Sequence, residues 1–261
     1  TGDIDFMAFY GAEMMFAVAR FWASKARYNR SLDRYEICGV MGPDEFHDAY
    51  PDAGEPGIHN NAFTNIMVSW LLCRSLEMMD ILPAVRRKIL VEHMSLKREE
   101  LEHWDEISRK MRLVFHGDRI ISQFEGYGEL REFDWEGNRR KYGDIHRLDR
   151  ILEAERDTPN RYKVSKQADL LMAFYLLSAE ELGALFNRLG YPFDRETIPR
   201  NIQYYLKRTA HGSTLSRVVH SWVLSRSRRD TSWDLFQEAL KSDISDIQGG
   251  TTHEGIHLGA M

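Results

Sequence analysis

The sequence predicts an all-α protein, and three features support this prediction. Proline is scarce, at 7 of 261 residues, and no segment shows the strict alternation of polar and apolar residues that is typical of half-buried strands. Apolar residues recur instead with the 3.6-residue period of amphipathic helices. A segment that is apolar in its middle, at residues 62–82, is followed by a heavily charged segment at 84–111. This order indicates an inner helix paired with an outer one, and so an architecture of helical hairpins.

The chain begins with a predicted amphipathic helix over residues 4–26, followed by a long loop over residues 27–59 ("the long loop"). One side of the helix carries apolar residues, namely Phe6, Phe9, Tyr10, Met14, Ala17 and Phe21. Glycine and proline interrupt regular structure. The long loop is predicted from Gly39, Gly42, Pro43, Pro51, Gly54, Pro56 and Gly57. Long loops in compact domains often carry function, so this one is the first candidate for a site.

The helix predicted at 62–82 is capped at its start by Asn60 and Asn61 and is ended by Pro83. Residues 112–164 ("the insert") are charged and less regular. Helical periodicity returns in five later segments, at residues 165–178, 180–189, 198–208, 214–229 and 232–245. Gly190 stands where a glycine commonly ends a helix. The tryptophans at helical spacing are predicted to be core residues, namely Trp22, Trp70, Trp104 and Trp222.

Composition excludes several classes of protein. Hydrophobic residues make up 43% and charged residues of both signs 29%, which suits a packed core and argues against disorder. The net charge of −5 does not favour nucleic-acid binding. Two cysteines cannot form a disulfide framework and suit a reducing compartment, so we expect a cytoplasmic protein. No run approaches the roughly 18 apolar residues of a membrane helix. Because the chain starts at Thr1 and stops at an apolar end, we expect a piece of a longer polypeptide.

Two segments carry charged side chains suited to acid–base chemistry or to holding a ligand. Residues 42–47, Gly-Pro-Asp-Glu-Phe-His, place adjacent carboxylates and a histidine on a glycine-proline frame inside the long loop. A structural alternative has Asp44 capping a turn and Glu45 in solvent. The helix predicted from residue 165 begins with Ser165 as its N-cap. Lys166 in a first turn opposes the helix dipole, which indicates a ligand-facing role, although a plain surface lysine is also consistent.

Two turns offer small residues, hydroxyl groups and backbone N–H groups, which are the features that bind phosphate. The first is residues 210–216, Ala-His-Gly-Ser-Thr-Leu-Ser, and the second is residues 248–252, Gln-Gly-Gly-Thr-Thr. Residues 253–257 match the His-Glu-x-x-His zinc pattern, which requires a helix to place both histidines on one face. Glycines at 249, 250 and 255 weaken a helix there, so we expect no metal site.

Taken together, these segments resemble the catalytic domain of glycoside hydrolase family 65, which contains maltose, trehalose, kojibiose and nigerose phosphorylases. The resemblance covers nearly the whole chain and is weakest across residues 128–164. Its longest motif is residues 35–47, Tyr-Glu-Ile-Cys-Gly-Val-Met-Gly-Pro-Asp-Glu-Phe-His. The other matching segments follow in the family order, at residues 1–6, 60–65, 166–169, 211–216 and 249–257.

The resemblance implies an (α/α)6 barrel, of which residues 1–261 would form the later part of one catalytic domain. It also implies inverting phosphorolysis of an α-glucosyl disaccharide to β-glucose 1-phosphate, with inorganic phosphate as co-substrate and no other cofactor. Glu45 matches the general acid, and Lys166 and Gln167 match residues that hold hydroxyls of the glucosyl unit. The phosphate site is matched by His211, Ser213, Gly249, Gly250, Thr251 and Thr252.

Three other functions stay open from the sequence: a hydrolase of α-glucosides on the same fold, a non-catalytic sugar-binding chain, and a zinc peptidase. Hydrolytic relatives place a catalytic base near the position of residues 210–212, where this chain has Ala-His-Gly, so phosphorolysis is favoured. An incomplete barrel would leave apolar helix faces in solvent, so we expect a homodimer or poor solubility. The expected partners are a disaccharide and phosphate, and neither a nucleic acid nor a membrane.

Overall fold

The computed structural model describes residues 2–242 and 244–245, and these form a mostly helical structure, as predicted. The α-helices of seven or more residues are α1 (Ala12–Lys25), α2 (Ala62–Ile81), α3 (Ala84–Met94), α4 (Arg98–Lys110), α5 (Trp135–Tyr142), α6 (Leu148–Ala154), α7 (Asp169–Leu176), α8 (Ala179–Leu189), α9 (Thr197–Leu206), α10 (Thr214–Leu224) and α11 (Arg229–Lys241). Two short antiparallel hairpins pair β1 (Arg27–Asn29) with β2 (Arg34–Glu36), and β3 (Phe115–His116) with β4 (Ile120–Ile121).

The helices pack as hairpins of an inner and an outer helix. α2 packs on α4, and α10 packs on α11. The inner helices α2, α7 and α10 lie side by side, since α7 contacts both of the others. Their first residues meet at one end of the bundle, because Asn61 before α2 donates a hydrogen bond to Asp169 at the start of α7. That end of the bundle carries the candidate site.

The predicted N-terminal helix is present, and it packs through its small residues. It starts with a helical turn, Ile4–Phe6, continues through a π-helical segment, Met7–Gly11, and runs into α1. Its buried residues are Ala8, Ala12, Phe16, Ala19 and Ala23. Alanines let a neighbouring helix approach closely, so this side faces α2 and α4. The apolar side named from the sequence lies in solvent instead, and Tyr10 is 70% exposed.

The helix predicted over 84–111 is two helices, because the chain breaks at Ser95. Ser95 has a φ of 51°, in the left-handed region, and the N–H of Leu96 donates to the carbonyl of Val91 at 3.0 Å. Leu96 is buried, which fixes the turn. This is a Schellman-type helix end with serine where glycine usually stands. Without a glycine, the sequence did not indicate the break.

The long loop and the insert pack against each other. The guanidinium of Arg161 lies 2.8 Å from the carboxylate of Asp52, and Asn160 donates to Asp48 at 2.8 Å. A small second core joins the two segments, and its buried members are Phe46, Phe133, Leu148, Leu152, Val164 and Ala210. The insert is more regular than predicted, since it contains α5 and α6.

The helix predicted over 165–178 begins later, at Asp169, and Ser165 is not its N-cap. The N–H of Ser165 donates to the carbonyl of Arg208, and its carbonyl accepts from the N–H of Ala210, both at 2.8 Å. Residues 165–168 therefore run beside the turn that leads into α10. Lys166 precedes the helix, so the helix-dipole interpretation of this residue is wrong.

Several apolar side chains lie at the surface of the described residues. Trp104 is fully buried and Trp22 and Trp70 are half-buried, but Trp222 is 61% exposed, so the core prediction is wrong for Trp222.

An open apolar groove of about 310 Å³ is lined mainly by Trp22, Phe63, Met67, Trp70 and Leu71. Within residues 2–242 and 244–245, no helix combines the length and apolar character that crossing a bilayer requires.

Candidate active site

A buried network of carboxylates fixes the long loop to the starts of α2 and α7. Asp44 is 1% exposed, and its carboxylate accepts hydrogen bonds from the backbone N–H of Lys166 at 2.9 Å and from Nε2 of Gln123 at 2.8 Å. The carboxylate of Asp169 in turn accepts from the backbone N–H of Asp44 at 2.5 Å and from Nδ2 of Asn61 at 2.7 Å. Buried carboxylates need such donors, since an unpaired buried charge is costly.

The network is packed tightly against Gly42, and it shifts the pKa of one of its own carboxyl groups. A Cβ added at Gly42 would lie 1.9 Å from Oδ2 of Asp169 and 2.4 Å from Nδ2 of Asn61. The loop can therefore approach Asp169 this closely only with glycine at position 42. Burial, and then the charge of Asp44, raise the pKa of Asp169 well above its usual range.

Glu45 is the exposed carboxylate of this segment. It stands between two buried residues, Asp44 and Phe46, yet its own side chain is 67% exposed. Its Oε2 accepts a hydrogen bond from Nζ of Lys166 at 2.8 Å. A fixed backbone with an accessible carboxyl group is what a proton donor to a bound substrate requires. Asp44 is buried in a structural role and Glu45 faces solvent, so the structural alternative also agrees with the positions of these two side chains.

Lys166 and Gln167 lie directly against the Glu45 segment. The side chain of Gln167 donates to the carbonyl of Pro43 at 3.0 Å, and its Oε1 is buried without a hydrogen-bond partner among the described residues. The Lys166 ammonium reaches Glu45 while its backbone N–H reaches Asp44. Two predicted sugar-binding residues and the predicted acid are thus brought together.

The turn before α10 completes the same end of the bundle. A Cβ added at Gly212 would lie 2.4 Å from the carbonyl oxygen of His146 and 3.3 Å from Cγ of Lys166. The turn therefore lies between the insert and the lysine that pairs with Glu45. Ser213, which directly precedes α10, is partly exposed, and its hydroxyl does not cap that helix.

The backbone of His211 is held in an unusual conformation by a buried arginine. His211 has a φ of 54°, in the left-handed region, and its carbonyl accepts from Nη1 of Arg217 at 3.0 Å. Arg217 is 1% exposed, and its two other nitrogens contact Nε2 of His146 at 3.1 Å and the carboxylate of Glu238 at 2.8 Å. One side chain thus joins the turn, the insert and α11.

The ring of His211 contacts Ser216 and His220 on the first turns of α10. Its Nδ1 lies 2.9 Å from Oγ of Ser216, and its ring meets the ring of His220 edge-on at 4.6 Å between centroids. Burial, and then the neighbouring His220 and Arg217, lower the pKa of His211 well below its usual range. Burial and the neighbouring charges therefore favour the neutral form of the His211 imidazole.

The remaining predicted site residues, Gly249, Gly250, Thr251 and Thr252, lie outside the described residues, as does the zinc pattern at 253–257. In the part of the chain that the structure describes, no group of three or more histidine, cysteine, aspartate and glutamate side chains is arranged to hold a metal ion.

Sequence reasoning missed the residues that support the site. Asn61 was predicted as a helix cap within a family segment, and its side chain also donates to Asp169. Gln123 lies in the insert and gives no signal in the sequence. Arg217 resembles any charged residue of an amphipathic helix, and only the fold reveals that it is buried.

Comparison with known proteins identifies the family. The family model of the glycosyl hydrolase family 65 central catalytic domain matches residues 1–261. The chain belongs to glycosyl hydrolase family 65. The family 65 resemblance inferred from the motifs is therefore confirmed.

Relatives of this family 65 chain include phosphorylases. It is 52% identical to an uncharacterized glycosyl hydrolase of Mycobacterium tuberculosis, over the whole chain and 20% of that relative. It is 38% identical to trehalose 6-phosphate phosphorylase of Lactococcus lactis, over the whole chain and 32% of the relative. It is 34% identical to kojibiose phosphorylase of Caldanaerobacter subterraneus, over 98% of the chain and 31% of the relative. The chain thus spans between a fifth and a third of the length of these relatives.

A solved structure supports the family 65 fold. A putative kojibiose phosphorylase from the human microbiome superimposes on the whole chain with a TM-score of 0.78, at 24% identity and over 35% of that structure. The helical hairpins of this chain match part of an (α/α) barrel domain of the family 65 phosphorylases, as the resemblance implied.

Proposed function

We propose that this family 65 chain acts in the inverting phosphorolysis of an α-glucosyl disaccharide, which releases β-glucose 1-phosphate and a sugar. One observation carries the proposal: Glu45, Lys166 and the turn around Gly212 lie side by side at one end of the bundle. Acid, sugar-binding and phosphate-binding groups must meet around one glycosidic bond for this reaction.

Glu45 would act as the general acid. It would protonate the glycosidic oxygen while the glucosyl unit develops oxocarbenium character, a step that contributes roughly 10²–10⁴-fold to the rate. Lys166 and Gln167 would hold hydroxyls of that unit. The Lys166 ammonium contacts the carboxylate of Glu45, which supports a place for Lys166 beside the proposed acid.

Phosphate would be the nucleophile, held by His211, Ser213 and the turn at residues 249–252. An inverting hydrolase needs a second carboxylate to activate water on the opposite face of the sugar. Asp44 and Asp169 are buried and already accept several hydrogen bonds, so neither is placed to do this. Phosphate is a co-substrate in this proposal, no other cofactor is needed, and the expected location remains the cytoplasm.

The proposed substrates are maltose-, kojibiose- and trehalose-like disaccharides. Relatives named for an activity include kojibiose phosphorylases, a maltose phosphorylase and a trehalose 6-phosphate phosphorylase. Trehalose 6-phosphate therefore belongs in the substrate panel beside maltose, trehalose, kojibiose and nigerose.

The test is turnover by the full-length protein with each sugar, with and without inorganic phosphate, assayed for β-glucose 1-phosphate and glucose. Sugar phosphate formed only in the presence of phosphate is the expected result. Free glucose formed regardless of phosphate would indicate the hydrolase alternative, and sugar binding without either product would indicate a binding protein.

Glu45→Gln supplies the matching variant, with Glu55→Gln as its control because Glu55 is an exposed glutamate of the same loop. We expect Glu45→Gln to abolish turnover and Glu55→Gln to retain it. Full activity of Glu45→Gln would refute the assignment of the acid.

A further inference from the structure

The hydrogen bonds around His211 determine which of its ring nitrogens carries the proton. Nδ1 of His220 lies 2.8 Å from the carbonyl oxygen of Ser216. A carbonyl oxygen only accepts, so this nitrogen of His220 must carry a proton. Its proton is therefore directed at the Ser216 carbonyl, and the Ser216 hydroxyl, 3.4 Å away, is a secondary contact at most.

The hydroxyl proton of Ser216 has a single acceptor among the described residues. Ser216 and His220 are both 0% exposed, so bulk water does not reach them. Oγ of Ser216 lies within hydrogen-bond distance of His211 Nδ1, at 2.9 Å, and of His220 Nδ1, which already donates. The hydroxyl therefore donates to Nδ1 of His211, which must be unprotonated.

A neutral imidazole with an unprotonated Nδ1 carries its proton on Nε2. Burial lowers the pKa of His211 and lowers that of His220 to about 4, so both rings are neutral at pH 7. The edge-on contact between the rings and the Arg217 bond to the His211 carbonyl hold the ring in place from two sides.

We propose that Ser216 is a positioning residue that fixes His211 in the Nε2–H tautomer, so that Nε2–H donates to the phosphate nucleophile. The role of this donor rests on the proposed function, whereas the tautomer itself does not. Without Ser216, His211 could place its proton on either nitrogen, and half of its states would offer phosphate a lone pair where a donor is needed.

Two replacements of His211 distinguish a hydrogen-bond donor at the position of Nε2 from one at the position of Nδ1. A glutamine places an amide N–H near the position of Nε2, and an asparagine places one near the position of Nδ1. In the full-length protein we expect His211→Gln to retain a phosphate KM about tenfold lower than that of His211→Asn, which is the effect of one hydrogen bond. A lower phosphate KM for His211→Asn would overturn the proposal.

Ser216→Ala tests the positioning residue, and Ser221→Ala is its control, because Ser221 is also buried on α10 but bonds to Ser232. We expect Ser216→Ala to raise the phosphate KM about twofold, because about half of the His211 rings would then carry the proton on the wrong nitrogen, with kcat and the disaccharide KM little changed. Ser221→Ala should leave all three as in the wild type. In the His211→Gln background Ser216→Ala should have little further effect, because glutamine has no tautomers. Equal losses in both backgrounds, or an unchanged phosphate KM in Ser216→Ala, would contradict the positioning role.

The tautomer is also measurable without turnover. The ¹⁵N spectrum of the histidine-labelled protein, with the His211 signals assigned by their loss in His211→Gln, should show a protonated Nε2 and an unprotonated Nδ1. A protonated Nδ1 would overturn the proposal. A wild-type enzyme that needs no phosphate but shows the expected spectrum would refute phosphate as the ligand and the proposed function, while the tautomer assignment would stand.

Discussion

Asp44 and Asp169 hold each other's segments in place. The Asp169 carboxylate accepts the backbone N–H of Asp44 at 2.5 Å, while the Asp44 carboxylate accepts the backbone N–H of Lys166, three residues before Asp169, at 2.9 Å. These reciprocal bonds fix the backbone of Glu45 relative to that of Lys166. The proposed proton donor and the residue proposed to hold the sugar therefore belong to one rigid unit.

Asp169→Asn should weaken this unit. Both carboxylate oxygens of Asp169 accept hydrogen bonds, and an amide must turn its NH₂ group toward one of the two donors. We expect the free energy of unfolding to fall by about 1–3 kcal/mol and kcat to fall with it. Urea denaturation and steady-state kinetics check this, and wild-type values for both would contradict the role of the network.

Gly42→Ala should be strongly unfavourable, whereas Gly54→Ala in the same loop should not. The new methyl group at 42 would overlap Asp169 and Asn61, while a Cβ at 54 meets nothing within 4 Å. We expect Gly42→Ala to cost about 1–3 kcal/mol of stability. Thermal melts of the two variants should therefore differ by several degrees, and equal melting temperatures would show that the loop can relax.

Lys166→Met should reduce sugar binding without destabilising the protein. The partner carboxylate of Glu45 is mostly exposed, and exposed ion pairs contribute only about 0–1 kcal/mol to stability. We expect an unchanged melting temperature and a raised disaccharide KM. A lowered melting temperature with an unchanged KM would assign Lys166 a purely structural role.

Arg217→Lys should be among the most damaging single changes. From one buried position, the guanidinium of Arg217 forms hydrogen bonds with His211, His146 and Glu238. The smaller ammonium group of a lysine cannot reach all three partners. Leaving such a buried group unpaired costs about 3–5 kcal/mol. Glu238→Gln removes one partner at a half-exposed position and should be milder. The two variants can be ranked by their urea midpoints. The reverse order would refute the role of Arg217 in joining the turn, the insert and α11.

Stability should fall as the pH drops from about 6.5 to about 4. Burial lowers the pKa of His116 and of His220 to about 4, from the usual 6.5. Between these values the unfolded chain binds protons that the folded chain excludes, so acid favours unfolding, by up to about 1.4 kcal/mol per pH unit for each histidine. Urea unfolding at pH 7, 6 and 5 measures the slope. His116→Gln should flatten this slope, and an unchanged slope would contradict the prediction.

The ends of helices could be predicted where the residues at those ends determine them. Asn61 caps α2 by accepting the N–H of Thr64 at 2.9 Å, and Gly190 ends α8 with a φ of 74°, both as predicted. The prediction failed where tertiary contacts decide. Serine is a common N-cap residue, so Ser165 was predicted to begin the helix. Its backbone instead pairs with the turn before α10, and the helix therefore begins only at Asp169.

The residues proposed for the site were named through the family resemblance. Glu45, Lys166, Gln167, His211 and Ser213 belong to short segments that resemble family 65 motifs, so the sequence could single them out. The residues that hold them come from distant segments. Nothing near Gln123 or Arg217 in the sequence indicates that these two side chains support the loop and the turn.

The alternation of a buried Asp44 with an exposed Glu45 makes the segment sensitive to its length. Gly42 sets the point of closest approach to Asp169, and Glu45, the proposed acid, lies three positions later. Inserting one residue between them would move Asp44 to the exposed position and Glu45 to a buried one, and deleting one residue would place Glu45 at the buried position of Asp44. Length variation in the long loop should therefore be tolerated around Gly54, where the chain is exposed, and forbidden between residues 42 and 45.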